Sequence, residues 1–139
     1  MANFDRNSWH KIIVAGSLDA DFCFVGGLLG DQNETAGSVF SWNSVPLRDD
    51  QQWQIFPYNN TFYVLRTRGS TALGYLGVFF KDMEQTPGKT APRTRTASLS
   101  DDSMFWTIGP WGDGTFWLSN AANGSDWRMT VKLGLVMRR

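Results

Sequence analysis

Apolar positions along the chain fall in short runs broken by clusters of Gly, Pro, Asn, Asp and Ser, and no run sustains a 3.6-residue period. Ten segments rich in aromatic and β-branched residues read as strands: 10–15, 22–28, 38–45, 51–57, 61–67, 74–80, 95–99, 104–108, 115–119 and 126–131. Turn chemistry separates them at Gly16-Ser17, at Gly30–Asn33, at Pro57–Asn60, at Thr86–Gly88, at Gly109-Pro110 and at Asn123–Ser125. Many short strands at such spacing predict an all-β sandwich or barrel. Helix is not expected.

The pattern also repeats. Moved by 53 residues without a gap, Trp53, Ile55 and Pro57 fall on Trp106, Ile108 and Pro110. The same step carries Tyr63 and Leu65 onto Phe116 and Leu118, and backwards onto His10 and Ile12. It carries Leu76 and Val78 onto Met129 and Val131, and backwards onto Cys23 and Val25. Loops align as well, Asp31-Gln32 on Glu84-Gln85 and Asp49 on Asp102. The reading is a single domain, 1–139, of four-stranded modules: 9–61, 62–114 and a partial third at 115–139. The counterpart of Trp53 and Trp106 in the third module would fall beyond Arg139. A chain without those strands is expected to leave unpaired edges and to expose core residues such as Trp106 and Met129.

Four-stranded modules that end in a Trp-containing strand resemble the β-trefoil, and in particular the ricin B-type lectins and their divergent fungal members. The family's Gln-x-Trp signature is matched by Gln51-Gln52-Trp53, and in the second module by Met104-Phe105-Trp106, which keeps only the Trp. Tyr63-Val64-Leu65 and Phe116-Trp117-Leu118 match the family's first strand. Cys23-Phe24-Val25, Leu76-Gly77-Val78 and Met129-Thr130-Val131 match the second. The resemblance implies a sugar site per module, with an Asp in the second strand and an aromatic platform in the third. Phe24, Gly77 and Thr130 stand where that Asp would be. Trp42, 11 residues before Trp53, stands at the platform, with Asn43 and Asp50 near it as hydrogen-bonding groups. The second module has Arg93 and Arg95 in that region instead.

Composition narrows the function. Thirteen Lys and Arg balance 13 Asp and Glu, which argues against non-specific binding to nucleic acid or anionic membrane. The lone Cys23 and lone His10 leave no disulfide, no cysteine zinc site and no pair of imidazoles. His10 takes a place held elsewhere by Tyr63 and Phe116, so it reads as a packed ring rather than a base. Cys23 reads as a small buried hydrophobe. The acidic pairs Asp19/Asp21, Asp49/Asp50 and Asp101/Asp102 lie in turns rather than across a cleft, unlike glycosidase carboxylates. Three glycosylation triplets begin at Asn33, Asn59 and Asn123. No apolar stretch reaches the roughly 20 residues of a membrane span. Asp5 and Arg6 interrupt any signal-peptide core, which favours a cytoplasmic location without excluding an extracellular one.

The expectation is therefore a non-catalytic, carbohydrate-binding module without metal or cofactor, its site at Trp42, Asn43 and Asp50. Its partner would be a carbohydrate or glycoprotein. A secondary surface is expected at Trp111, Trp117 and Asn120, with Trp127 nearby, because alternation turns Trp117 away from Phe116 and Leu118. The alternative is a trefoil that binds protein through its loops, as protease inhibitors of that fold do.

Overall fold

A computed structural model of the chain describes residues 3–15, 22–26, 36–70, 74–78, 90–96 and 102–129. It is all-β. The strands are β1 (Phe22–Gly26), β2 (Ala36–Asn43), β3 (Trp53–Pro57), β4 (Tyr63–Thr67), β5 (Tyr75–Val78), β6 (Pro92–Arg95), β7 (Trp106–Pro110) and β8 (Phe116–Asn120). All ladders are antiparallel and run β1-β2-β6-β5-β4-β7-β8, with β3 paired to β4. Segment 10–15, expected as a strand, is held instead by two isolated bridges, His10 to Trp53 and Ile13 to Cys23. Residues 126–129 form no strand, although the Met129 N–H donates to the Leu118 carbonyl at 2.8 Å. The loop pairings at 31–32 and 84–85, together with Asp19, Asp21, Asn33, Asp101, Thr130 and Val131, lie outside the described residues.

The repeat has a structural counterpart in the hydrogen-bond register. β3 pairs with β4 from Trp53–Thr67 to Pro57–Tyr63, and β7 pairs with β8 from Trp106–Asn120 to Pro110–Phe116, each 53 residues on. The His10–Trp53 bridge recurs as Tyr63–Trp106 at the same step. The second strand departs from it by one residue. Ile13 faces Cys23 while Arg66 faces Tyr75, and the Trp53 and Trp106 indoles donate to the carbonyls of Phe24 and Leu76. Phe24 thus corresponds to Leu76, 52 residues on (76 − 24), because the link into β1 is one residue longer than the link into β5.

Both indoles are buried, Trp106 to 1% exposure, which corrects the expectation that Trp106 would be laid open. Around them Phe24, Ile55, Tyr63, Leu65, Leu76, Val78 and Ile108 make the main core, and Met129 packs half-buried against it. The N-terminal segment closes one end. Phe4 meets His10, Tyr63 and Phe116, three residues at the 53-residue step, edge-on with ring centroids 6.2, 5.7 and 5.4 Å away. A smaller cluster of Val64, Met104 and Phe105 lies apart, covered by Phe56, Phe62 and Tyr75. Glycine is required where β1 passes against packed side chains. A Cβ on Gly26 would sit 2.9 Å from both Thr67 and the Trp53 ring.

Candidate functional site

The β1–β2 hairpin carries an exposed aromatic surface. Antiparallel pairing sets Cys23 opposite Trp42 and Val25 opposite Phe40, and directly opposed side chains share a face. Cys23 and Val25 are fully buried on that face, whereas Phe40 and Trp42 are about half exposed, at 46% and 47%. Alternation sends Val39 the other way, against the core. Two rings at positions i and i+2 therefore stand side by side over an apolar floor. Phe40 was missed by sequence reasoning. Its spacing from Trp42 was the available signal, because alternating aromatics mark one face of a strand.

Polar groups gather at the Trp42 end. The Lys11 ammonium donates to Ser44 Oγ at 2.5 Å and to the Val45 carbonyl at 2.9 Å. Burial pushes the Cys23 thiol up. The Lys11 charge and a Ser44 hydrogen bond oppose that shift, and Asp50 and Arg48 are also close enough to act on it. Asp50 is held in place by Arg48, whose guanidinium donates to both carboxylate oxygens at 2.6 and 3.0 Å. Asp50 thus stands beside a guanidinium and shares the Cys23 neighbourhood with Trp42. Asn43, by contrast, follows Trp42 on the strand and turns to the opposite face. Its contribution is its carbonyl rather than its side chain.

That carbonyl is gripped by Gln51. The Gln51 side chain is fully buried, accepts from the Val45 N–H at 2.8 Å and donates to the Asn43 carbonyl at 2.8 Å. The first residue of Gln-x-Trp therefore ties the 43–45 loop to the 3₁₀ turn Asp49–Gln51, which presents Asp50. In the second module Met104 stands in that place and cannot make such bonds. Just beyond, Leu47 is 89% exposed and holds φ 62°, a left-handed conformation unusual for a branched residue.

Phe24, aligned by ungapped shift with the family's sugar-binding carboxylate, lies in the core instead. The residue that faces Trp42 is Cys23. Among the described residues the second module offers no equivalent platform: Arg95 stands opposite Tyr75 as Trp42 stands opposite Cys23, and it donates to the Val78 carbonyl and to Ser103 Oγ.

The secondary surface is only partly assembled. Trp111 is 56% exposed in a turn shaped by Gly112 and Gly114 at φ 95° and 92°. Arg128 stacks between Trp111 and Trp117, 4.9 and 4.2 Å from their centroids. Asn120 does not belong with them. It is 3% exposed, donates to the Ser103 carbonyl and accepts from the Ala122 N–H, which makes it part of the scaffold. The triplet residues have structural partners too: Asn59 accepts from Thr61 and Phe62 amides, and Asn123 donates to Thr90.

Among the described residues no helix is long and apolar enough to cross a membrane. No protein-family model matches the sequence, and no curated protein matches it either.

Proposed function

We propose that the chain is a β-trefoil-type, non-catalytic carbohydrate-binding module, similar in plan to the ricin B-type lectins, with one sugar site on the β1–β2 hairpin. The observation that carries this reading is the half-exposed Phe40–Trp42 pair beside Ser44, Lys11 and the Arg48–Asp50 pair. Indole and phenyl faces pack against sugar C–H groups, while the neighbouring hydroxyl, ammonium and carboxylate suit sugar hydroxyls. No carboxylate rises from β1 beneath the platform. Losing a charge-assisted bond of that kind costs on the order of 1.5–3 kcal/mol, which puts affinity near the millimolar range. The test is an NMR titration of the 15N-labelled chain with a panel of mono- and disaccharides. Saturable shifts confined to residues 40–50 and 11, removed by Trp42→Ala and weakened by Asp50→Asn, support the reading. No shift with any sugar, or shifts indifferent to Trp42→Ala, overturns it.

A second reading rests on Leu47. Its exposed, left-handed position lies on a loop fixed at its base by Gln51 and Lys11, the arrangement of a pre-shaped segment that docks into a protein pocket. Inhibition of a protease panel lost on Leu47→Ala, with sugar titrations flat, would favour that reading over the first.

A further inference from the structure

The β7–β8 hairpin holds a cation against two indoles. Gly109 stands opposite Trp117, and the ladder continues beyond β7 as the Trp111 N–H donates to the Thr115 carbonyl at 3.0 Å. Trp111, two residues beyond Gly109, therefore shares a face with Trp117 as its diagonal neighbour, a spacing that large rings can bridge. Glycine at 109 lets the second ring lie down on the strand: a Cβ there would collide with the Trp117 indole. The turn between them is fixed by Asp113, which accepts from both the amide and the hydroxyl of Thr115. Onto this pair of rings comes the Arg128 guanidinium, 4.9 Å from the Trp111 centroid and 4.2 Å from that of Trp117. The backbone on either side of Arg128 is tied to β8: the Trp127 carbonyl accepts from Ser119 Oγ, and the Met129 N–H donates to the Leu118 carbonyl. The Arg128 side chain itself is exposed and, among the described residues, has no carboxylate partner. It can swing to solvent while the backbone beneath it stays anchored.

We propose that Trp111 and Trp117 form a cation site, that Arg128 is its resident occupant, and that its external ligand is a quaternary ammonium group of the kind carried by choline or trimethyllysine. The chemistry selects that class. Indole faces attract positive charge but offer no acceptor to replace the water lost by a primary ammonium. A trimethylammonium group spreads its charge over weakly hydrated methyls, which pack on both rings at once. A neutral sugar lacks the charge and meets Arg128 already in place. Arg128 is thus an internal competitor: it covers the rings until a ligand of the same charge displaces the guanidinium to solvent. The site lies on a different hairpin from the Phe40–Trp42 platform and does not rest on the sugar reading.

The test is an NMR titration of the 15N-labelled chain with tetramethylammonium chloride at constant ionic strength, read at the indole N–H resonances. Trp111→Leu and Trp117→Leu assign the two signals, and the buried Trp53 and Trp106 indoles report that each variant stays folded. Saturable shifts at Trp111 and Trp117 are expected, and removing either ring should abolish them. Arg128→Gln should tighten binding by about two- to fivefold, the worth of one exposed cation–π contact. The neutral carbon isostere of choline, with a tert-butyl group in place of trimethylammonium, should cause no shift at the same concentrations. Choline and trimethyllysine are titrated in parallel, and the tighter of the two names the source of the group. Absence of a saturable shift in Arg128→Gln overturns the proposal, as does an equal response to the neutral isostere. Weaker binding by Arg128→Gln overturns it too, and makes Arg128 a support for the rings rather than their occupant.

Discussion

At the scale of single residues, Gln51 and Cys23 have roles that composition alone misjudges. Gln51 is a fully buried amide that satisfies two backbone groups of the 43–45 loop. Replacing it by alanine leaves the Val45 N–H and Asn43 carbonyl without partners, which should destabilise the fold by about 1–3 kcal/mol. Urea denaturation measures this, with Gln54→Ala, a surface amide bonded to the Arg6 carbonyl, as a milder reference. The same variant should blur the resonances of residues 43–45, because the loop presenting Ser44 is released. Buried acids give a second prediction. Burial raises the Cys23 thiol and the Tyr63 phenol above their ordinary values of 9.0 and 10.0. Both groups are neutral when protonated, so the folded state holds its protons longer than the unfolded chain. Stability from these two groups is complete below pH 9.0 and should fall as pH rises through their elevated folded values. Thermal melts between pH 8 and 11 check the sign; Cys23→Ala should flatten the early part of that decline.

At the scale of elements, what the sequence made legible depended on how each register is fixed. The β3–β4 and β7–β8 hairpins were readable because five-residue links close them and the 53-residue step preserves every pair. β1 was not readable in the same way. The one extra residue before it is invisible to an ungapped shift, yet it moves Phe24 from the platform side into the core, because neighbouring strand residues face opposite ways. Trp42 was legible from its spacing to Trp53. Lys11, Ser44 and Arg48 were not, because they reach the site from a different segment or through a loop whose shape Gln51 dictates. Phe4 lay outside every strand pattern, and only the assembled ring of His10, Tyr63 and Phe116 reveals its place. The β1 correction is itself testable. Phe24→Leu copies the residue found at the equivalent place in the second module, so it should cost under about 1.5 kcal/mol. Phe24→Asp puts an unpaired carboxylate among core side chains and should abolish the cooperative transition near neutral pH. Equal stability of the two variants would return Phe24 to the surface. Gly109 offers a parallel case on β7, where an added Cβ would meet the Trp117 ring at 2.1 Å. Gly109→Ala should therefore displace that ring from Arg128, read as a change in tryptophan fluorescence together with a lower Tm.

At the scale of the whole molecule, the internal repeat does not multiply the proposed site among the described residues, and this determines how the chain would act on a multivalent target if that proposal holds. A stacking platform needs an exposed ring, and among the described residues the first module supplies one on β2. The second places Arg95 at the matching position, committed through hydrogen bonds to Val78 and Ser103. The Trp111–Arg128–Trp117 stack is a cation already lodged between two rings, so a neutral sugar would have to displace it. Binding by this 139-residue chain should accordingly fit one site per chain. A single site lends no avidity, since the second engagement on a surface requires a second site on the same particle. The chain should therefore leave glycan-coated beads or cells unaggregated at concentrations where NMR titration detects its ligand. Joining two copies through a flexible linker should create aggregation without any change in the per-site dissociation constant, and Trp42→Ala in either copy should remove it. Aggregation by the single chain, verified as monomeric by sedimentation, would require a second sugar site and would break the one-platform argument.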